Sequence, residues 1–138
     1  MDQSKHSRAV ARVATMTLLE FCQMLKTVVP VGSTLDSPGG GTSKIIKYSQ
    51  SFITYRRGKS DIRVSYVDLF RAYVKHKGRK VSSSDLKRFA PAVFDSKARP
   101  AGHSCNTTIL FLLLRKLDLS SDISGSGVKG DPYYVSIP

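Results

Sequence analysis

The spacing of apolar positions separates helical stretches from extended ones along the chain. Apolar residues recur at steps of three and four between positions 18 and 29, which predicts an amphipathic N-terminal helix, assigned to residues 1–29, that ends before Pro30. Residues 30–43 lack this period and are rich in Gly, Pro, Ser and Thr, so a flexible loop is predicted there.

Extended structure is predicted between residues 44 and 64. β-branched and aromatic residues at 52–55 and 62–64 flank a turn that contains Gly58. This pattern predicts an antiparallel hairpin over 44–64, and the residues at its tip are basic.

Two helices joined by a short extended piece are predicted in the middle of the chain. Residues 66–77 have a helical apolar period, and Ser65 is placed to cap their first turn. Residues 79–82 are basic and extended. A shorter helix follows over 84–90, capped by Asp85 or by a preceding serine.

The longest apolar run is Ile109–Leu114. Its six residues are far fewer than the roughly 20 that cross a membrane. The leucine content, Ser104 as an N-cap and the cations Arg115 and Lys116 at the other end predict a helix over 105–117. We expect its first turn to be polar and exposed and its later turns to enter the core.

The last residues predict further β structure and complete an α+β chain. A turn at 130–132 between apolar segments indicates a C-terminal hairpin over 122–137. With 138 residues, 41% of them hydrophobic, the chain fits one domain. The predicted fold class is α+β: an N-terminal helix, a small antiparallel β-hairpin or sheet, and a unit of three helices and a C-terminal hairpin over 65–138.

The sequence shows no apolar run of membrane-spanning length and no signal-peptide pattern. We therefore expect a cytoplasmic protein without a membrane partner. The two cysteines, Cys22 and Cys105, form no disulfide framework and are expected to be free and buried.

Basic residues are concentrated in the middle of the chain. The net charge is +12 at pH 7, and residues 44–99 contain fifteen Lys or Arg and four Asp, a net charge of +11. Such asymmetry is typical of a surface that binds a polyanion, and it favours nucleic acid over a merely solvated basic face. A membrane surface is less favoured, because no basic amphipathic helix with aromatic anchors is evident.

The order and length of the elements over 65–137 resemble a winged helix-turn-helix domain: helix, short extended piece, helix, helix, hairpin. In such domains the third helix lies in the major groove of DNA, and the side chains of its N-terminal turn meet base edges. By position, the resemblance implies base contacts for His103, Asn106, Thr107 and Thr108, since Asn pairs with adenine and Thr bonds bases or packs on the thymine methyl group.

The resemblance also implies phosphate contacts from four basic residues around the second and third helices and one in the wing: Lys87, Arg88, Lys97, Arg99 and Lys129. The chain departs from the pattern because its third helix has no Lys or Arg in the first two turns. Further phosphate contacts are therefore expected from the preceding basic block.

Two clusters supply these further contacts. One is at the predicted hairpin, and the other lies at the end of the helix over 66–77 and directly after it: Arg56, Arg57, Lys59 and Arg63, then Lys75, Lys77, Arg79 and Lys80. Edge strands also carry basic side chains simply to prevent aggregation, and this alternative stays open for the hairpin.

Signals for enzymatic activity are weak. Asp85-Leu86-Lys87 and Asp95-Ser96-Lys97 match the D-x-K half-motif of metal-dependent nucleases, but few other carboxylates are available to hold Mg²⁺. His103 and Cys105 lack a second ligand pair at zinc spacing, and Cys105 as a thiol nucleophile would lie on a core helix. No catalytic residue, cofactor or metal is predicted.

The combined patterns predict a non-enzymatic nucleic-acid-binding protein, with duplex DNA favoured, that acts as a transcription regulator or as a targeting module. Two alternatives stay open. One is an RNA or ribonucleoprotein binder that uses the basic surface by shape. The other is a module that binds an acidic protein and packs the apolar residues 109–114 against it. A homodimer is also left open.

Overall fold

The computed structural model describes residues 16–98 and 102–138. The helices in these ranges are α1 (Leu18–Val28), α2 (Tyr66–Lys75), α3 (Ser83–Phe89), α4 (Pro91–Phe94) and α5 (Cys105–Lys116). The strands are β1 (Thr34–Asp36), β2 (Thr42–Tyr48), β3 (Phe52–Arg57), β4 (Ser60–Ser65), β5 (Arg79–Ser82) and β6 (Tyr134–Ile137). The predicted α+β class is confirmed.

Helix α1 begins at a capping box. The Thr17 hydroxyl accepts the backbone N–H of Glu20, and the Glu20 carboxylate accepts the backbone N–H of Thr17. Phe21 and Leu25 lie on its buried face. The helix predicted over 1–29 is therefore present as Leu18–Val28. Residues 1–15 of that prediction lie outside the described part of the chain.

The strands β1 to β4 form one antiparallel sheet in sequence order. The loop predicted over 30–43 is wrong at Thr34–Asp36, because these residues pair with β2 and Leu35 packs in the core. The predicted hairpin over 44–64 is likewise part of a larger sheet. Its turn at Gly58 joins β3 to β4, and β2 adds a third strand.

Within the described residues, one face of this sheet packs against the helices. Ile45, Ile53, Tyr55 and Val64 alternate toward the core, where they join apolar side chains from the helices. The opposite face carries the polar alternates of the same strands. At Ile46 the register of β2 against β3 shifts by one residue in a β-bulge.

The second half of the described chain contains the predicted order of helices. Ser65 caps α2 by accepting the N–H of Asp68. Ser82 and Asp85 form a reciprocal capping box at α3. Residues 91–94 form the one-turn helix α4, which buries Phe94.

The predicted C-terminal hairpin over 122–137 is wrong in its main pairing. Strand β6 pairs antiparallel with β5, so that Val81 lies opposite Val135. Within 122–137 the only described β contacts are the isolated bridges Ser124–Tyr134 and Val128–Asp131. Val135 and Ile137 are fully buried beside Val81, and this distant apolar pairing takes the place of a local hairpin.

Helix α5 lies in the core along most of its length. Its predicted range is confirmed within one residue, but Ser104 does not cap it through its side chain. The Ser104 hydroxyl is bonded to Ser96 instead. Asn106 is 1% exposed and Thr107 is 5% exposed, so the prediction of a fully exposed first turn is wrong.

In the described residues, no helix has both the length and the apolar character that crossing a bilayer requires. Cys22 and Cys105 are free thiols, as predicted, but both are half-buried rather than fully buried.

Candidate nucleic-acid interface

A groove of about 350 Å³ lies where α3, α5 and the loop before β6 meet. We call it the helix–loop groove. Helix α3 contributes Ser83, Ser84 and Lys87, the start of α5 contributes Ser104, Thr107 and Thr108, and the loop contributes Gly127, Val128, Lys129, Pro132 and Tyr133. Four residues predicted separately as nucleic-acid contacts therefore share one surface: Lys87, Thr107, Thr108 and Lys129.

Helix α3 is held in place by its capping box. The Asp85 carboxylate accepts the backbone N–H of Ser82 at 2.9 Å, and the Ser82 hydroxyl accepts the N–H of Asp85 at 3.1 Å. Burial raises the pKa of Asp85, but the Ser82 hydrogen bonds and the Arg88 charge outweigh it, and the net pKa is lowered. Arg88 forms an ion pair with Asp85, whereas Lys87 makes none with any described residue and lines the groove.

The start of α5 is fixed by backbone bonds to α4 and its flanks. The N–H of His103 donates to the carbonyl of Val93, and the N–H of Gly102 donates to the carbonyl of Ala98. The Thr107 hydroxyl donates to the Ser104 carbonyl at 2.7 Å. Thr108 is half-buried, and its hydroxyl makes no hydrogen bond within the described ranges, so Thr108 is the threonine free to contact a ligand.

Asn106 is not placed to contact a base. Its side-chain oxygen accepts the hydroxyl of Tyr55 at 2.7 Å, and its amide nitrogen donates to the carbonyl of Val93 at 2.8 Å. Burial, together with the nearby Cys105, raises the pKa of Tyr55 well above its usual range, so this hydroxyl stays protonated as a donor. The predicted adenine contact by Asn106 is therefore wrong, because its polar atoms are used inside the protein.

The loop before β6 has a defined shape. The Asp131 carboxylate accepts the hydroxyl of Ser126, and Val128 and Asp131 form a β-bridge that places Lys129 within a tight turn. Gly127 has φ +73° and lies against the Tyr133 ring, where no side chain would fit. Lys129 is exposed at the edge of the groove.

In the basic hairpin cluster, two arginines form bonds within the protein, and the other two cations are exposed. Arg56 forms an ion pair with Asp61 at 2.7 Å, and Arg57 donates to the Ser37 hydroxyl and the Gly40 carbonyl. Arg57, the last residue of β3, therefore holds the turn between β1 and β2 in place. Lys59 is exposed at the hairpin tip, and Arg63 is exposed on β4, where its guanidinium lies 5.2 Å from the centre of the Phe52 ring.

The cluster after α2 lies at the start of β5. Arg79 donates to the carbonyl of Lys75 at 3.0 Å, and the ammonium of Lys80 lies 4.0 Å from the centre of the Tyr134 ring. Lys77 lies over the Tyr73 ring. Lys80 and Tyr134 also line a neighbouring recess with Asp131 and Pro132, next to the loop that carries Lys129.

Of the remaining predicted contacts, Lys97 and His103 lie outside these surfaces. Lys97 is exposed beside Asp95, whose carboxylate accepts the backbone N–H of Lys97. Arg99 lies outside the described residues. His103 is half-buried at the start of α5, but it is not among the residues that line the groove.

The sequence reasoning missed seven of the residues that line the groove: Ser83, Ser84, Ser104, Gly127, Val128, Pro132 and Tyr133. Ser83 and Ser84 were interpreted only as helix caps, although their position at the start of α3 also indicated a possible ligand contact. No sequence pattern around Pro132 and Tyr133 indicated a ligand contact, because their position depends on the pairing of β6 with β5.

The carboxylates of the D-x-K half-motifs have structural roles. Asp85 caps α3, and Asp95 accepts a backbone N–H in its own turn. Across residues 16–98 and 102–138, no group of three or more His, Cys, Asp and Glu side chains is arranged to hold a metal ion.

Comparison with protein-family models, with curated proteins and with solved structures found no match for this chain.

Proposed function

We propose that residues 65–137 form a winged helix-turn-helix-like unit and that the helix–loop groove binds the phosphate backbone of duplex DNA. One observation carries the proposal. Lys87, Thr108 and Lys129 come from three separate segments that line one groove, and the sequence predicts a nucleic-acid contact for each of them. Their convergence on one concave surface is what a backbone-binding site requires.

The connectivity supports the comparison with a winged helix. Strand β5 lies between α2 and α3, and β6 returns after α5 to pair with it. Ser124 forms a bridge to Tyr134 on the other edge of β6, so the loop before β6 occupies the position of a wing. In this comparison α5 takes the place of the third helix, whose N-terminal turn faces the nucleic acid.

The chemistry of the groove suits a phosphate. Two lysines supply charge, and serine and threonine hydroxyls supply neutral donors, which is the usual set for contacts to the DNA backbone. The N-terminus of α5 adds the positive end of the helix dipole. Lys80, beside the neighbouring recess, extends the basic surface along the loop.

Base reading plays a small part in this proposal. Asn106 and Thr107, in the first turn of α5, are buried. Thr108 in the same turn is half-exposed and lines the groove. Backbone contacts fix position and affinity but carry no sequence information. A role as a targeting module or regulator that adds duplex affinity to a larger system fits this surface better than reading of a long site.

Binding of the full chain to labelled duplex DNA by fluorescence anisotropy, over a salt series, tests the proposal. Each phosphate contact contributes about 0.9 to the slope of log K against log salt, so Lys87→Gln/Lys129→Gln should lower the slope by about 2. The matched control is Lys26→Gln/Lys116→Gln, which removes the same charge from exposed positions outside the groove. Equal losses in both double variants, or no binding by the wild type, would overturn the proposal.

A further inference from the structure

The uncovered face of the four-stranded sheet carries a second cluster of exposed cations. The register places Lys47, Thr54 and Arg63 side by side on β2, β3 and β4. The neighbouring row on the same face contains Lys44 opposite Arg56, and Phe52 lies one row beyond Thr54 in the other direction. We call Lys44, Lys47, Phe52, Thr54 and Arg63 the sheet platform.

The cations of the sheet platform are not balanced by nearby acids. Arg56 is paired with Asp61, but Lys44, Lys47 and Arg63 make no ion pair anywhere in the described ranges. Lys44 lies opposite Arg56, but the Asp61 carboxylate already neutralises the Arg56 charge. A bound polyanion would neutralise the three cations that have no ion pair in these ranges.

An exposed aromatic ring adjoins these cations. Phe52 is 36% exposed, and the Arg63 guanidinium lies over its ring. Exposed aromatic rings and guanidinium planes on a sheet are the surfaces on which unpaired bases stack. The ring and the cations thus provide the two kinds of contact that a single-stranded nucleic acid uses.

Thr54 supplies an independent observation. It is 6% exposed, and its hydroxyl has no hydrogen-bond partner within the described residues. Its cross-strand neighbours are Lys47 and Arg63, the two cations that would turn toward phosphates. When these side chains move onto a ligand, the hydroxyl becomes available to a phosphate oxygen or a sugar hydroxyl.

The shape of the face favours a single strand over a duplex. Major-groove recognition of DNA uses a helix or a two-stranded ribbon that enters the groove, whereas the sheet platform is the broad face of four paired strands. We propose that single-stranded nucleic acid lies across the sheet platform, with phosphates at Lys44, Lys47 and Arg63 and a base on Phe52. This site is separate from the helix–loop groove and does not depend on the function proposed for it.

The experiment measures binding of the full chain to fluorescein-labelled dT₁₂ and rU₁₂ by anisotropy, with duplex DNA in parallel. Stacking on one aromatic ring accounts for about 1–3 kcal/mol per base, so Phe52→Ala should weaken single-strand binding roughly 5- to 150-fold. Phe89→Ala is the matched control, because Phe89 is an aromatic residue of similar exposure, 38%, on α3 and not on the four-stranded sheet. Urea midpoints establish that each variant is folded.

Two further variants separate the platform from the groove. Lys47→Gln/Arg63→Gln should weaken single-strand binding and leave duplex binding within about threefold, while Lys87→Gln/Lys129→Gln should do the reverse. Thr54→Val keeps the side-chain shape, and it should weaken single-strand binding without lowering the urea midpoint.

Unchanged single-strand affinity in Phe52→Ala and Lys47→Gln/Arg63→Gln would overturn the inference. So would binding to anionic phospholipid vesicles with none to either oligonucleotide. Binding of the wild type to single strands without binding to duplex DNA would count against the groove proposal and in favour of the sheet platform.

Discussion

The hydroxyl of Tyr55 donates a hydrogen bond to the side-chain oxygen of Asn106 across 2.7 Å in the core. This bond links the middle of β3 to the first turn of α5. It also explains why the most polar side chain of that turn faces inward, since the Asn106 amide is held between Tyr55 and the carbonyl of Val93. The orientation of the helix over the sheet is thus fixed by a buried polar pair as well as by apolar packing.

Removing the Tyr55 hydroxyl should destabilise the protein more than an ordinary surface change. Tyr55→Phe leaves the Asn106 oxygen unpaired in the core, and we expect a loss of about 1–3 kcal/mol in the free energy of unfolding, measured by urea denaturation. Tyr134→Phe is the control, because Tyr134 is half-exposed and its hydroxyl makes no hydrogen bond in the described residues. Equal effects of the two substitutions would contradict this role for the pair.

The capping box of α3 should make stability depend on pH in the acid range. The pKa of Asp85 is lowered in the folded state, so the native protein binds fewer protons than the unfolded chain. The stabilisation is present above the unfolded pKa of about 3.9 and is lost as pH falls through the lowered folded pKa. The urea midpoints of wild type and Asp85→Asn should differ at pH 7 and converge by about pH 2. A constant gap would show that the Asp85 charge does not matter.

Gly102 should not tolerate a side chain. A Cβ atom there would lie within 3.0 Å of the carbonyl oxygens of Pro91, Asp95 and Ala98. We expect Gly102→Ala to cost up to about 3 kcal/mol, because backbone atoms would have to move.

Gly32→Ala separates the steric effect at Gly102 from backbone strain. Gly32 has φ +93° and no atom within 4 Å of the added Cβ, so strain alone should cost about 1 kcal/mol. Thermal unfolding of both variants compares the two costs. A smaller loss for Gly102→Ala would be inconsistent with the close approach.

Buried tyrosines should make the protein sensitive to alkali. Burial, then the neighbouring Tyr66, raises the pKa of Tyr48, whose hydroxyl donates to the carbonyls of Leu25 and Val29. Burial likewise raises the pKa of Tyr55. The folded state therefore keeps protons that the unfolded chain loses above about pH 10, and stability should fall as pH rises beyond that value.

The alkaline effect is measured by urea midpoints between pH 8 and 11 for wild type and for Tyr48→Phe/Tyr55→Phe. The variant is expected to be less stable at pH 8 and to lose less stability on going to pH 11. Parallel curves would indicate that other groups control the alkaline transition.

The helix starts and the hairpin turn could be predicted from sequence because their interactions are short-range. Ser65 and Ser82 bond to backbone groups three residues away, and Gly58 forms the turn between strands adjacent in sequence. The leucine-rich segment was also correctly placed as the helix Cys105–Lys116. In each case the signal and the structure that it specifies lie within a few residues of one another.

The set of residues that form the candidate site could be identified only from the tertiary structure. The sequence named Lys87, Thr108 and Lys129 separately, but only the folded chain shows that they share a groove while Arg88 is paired with Asp85. The sequence also predicted a base contact for Asn106. Its hydrogen bond with Tyr55 in the core could not be predicted, because Tyr55 is distant in the sequence.

The sequence by itself determined the helices, the basic strands and the overall α+β class, since periodicity and capping act locally. The tertiary structure alone decided that β1 joins the sheet, that β6 pairs with β5 and that the first turn of α5 faces inward. These choices depend on burying Leu35, Val81 and Val135 against distant partners. The free energy of that burial depends on the whole core, so no single segment of the sequence specifies it.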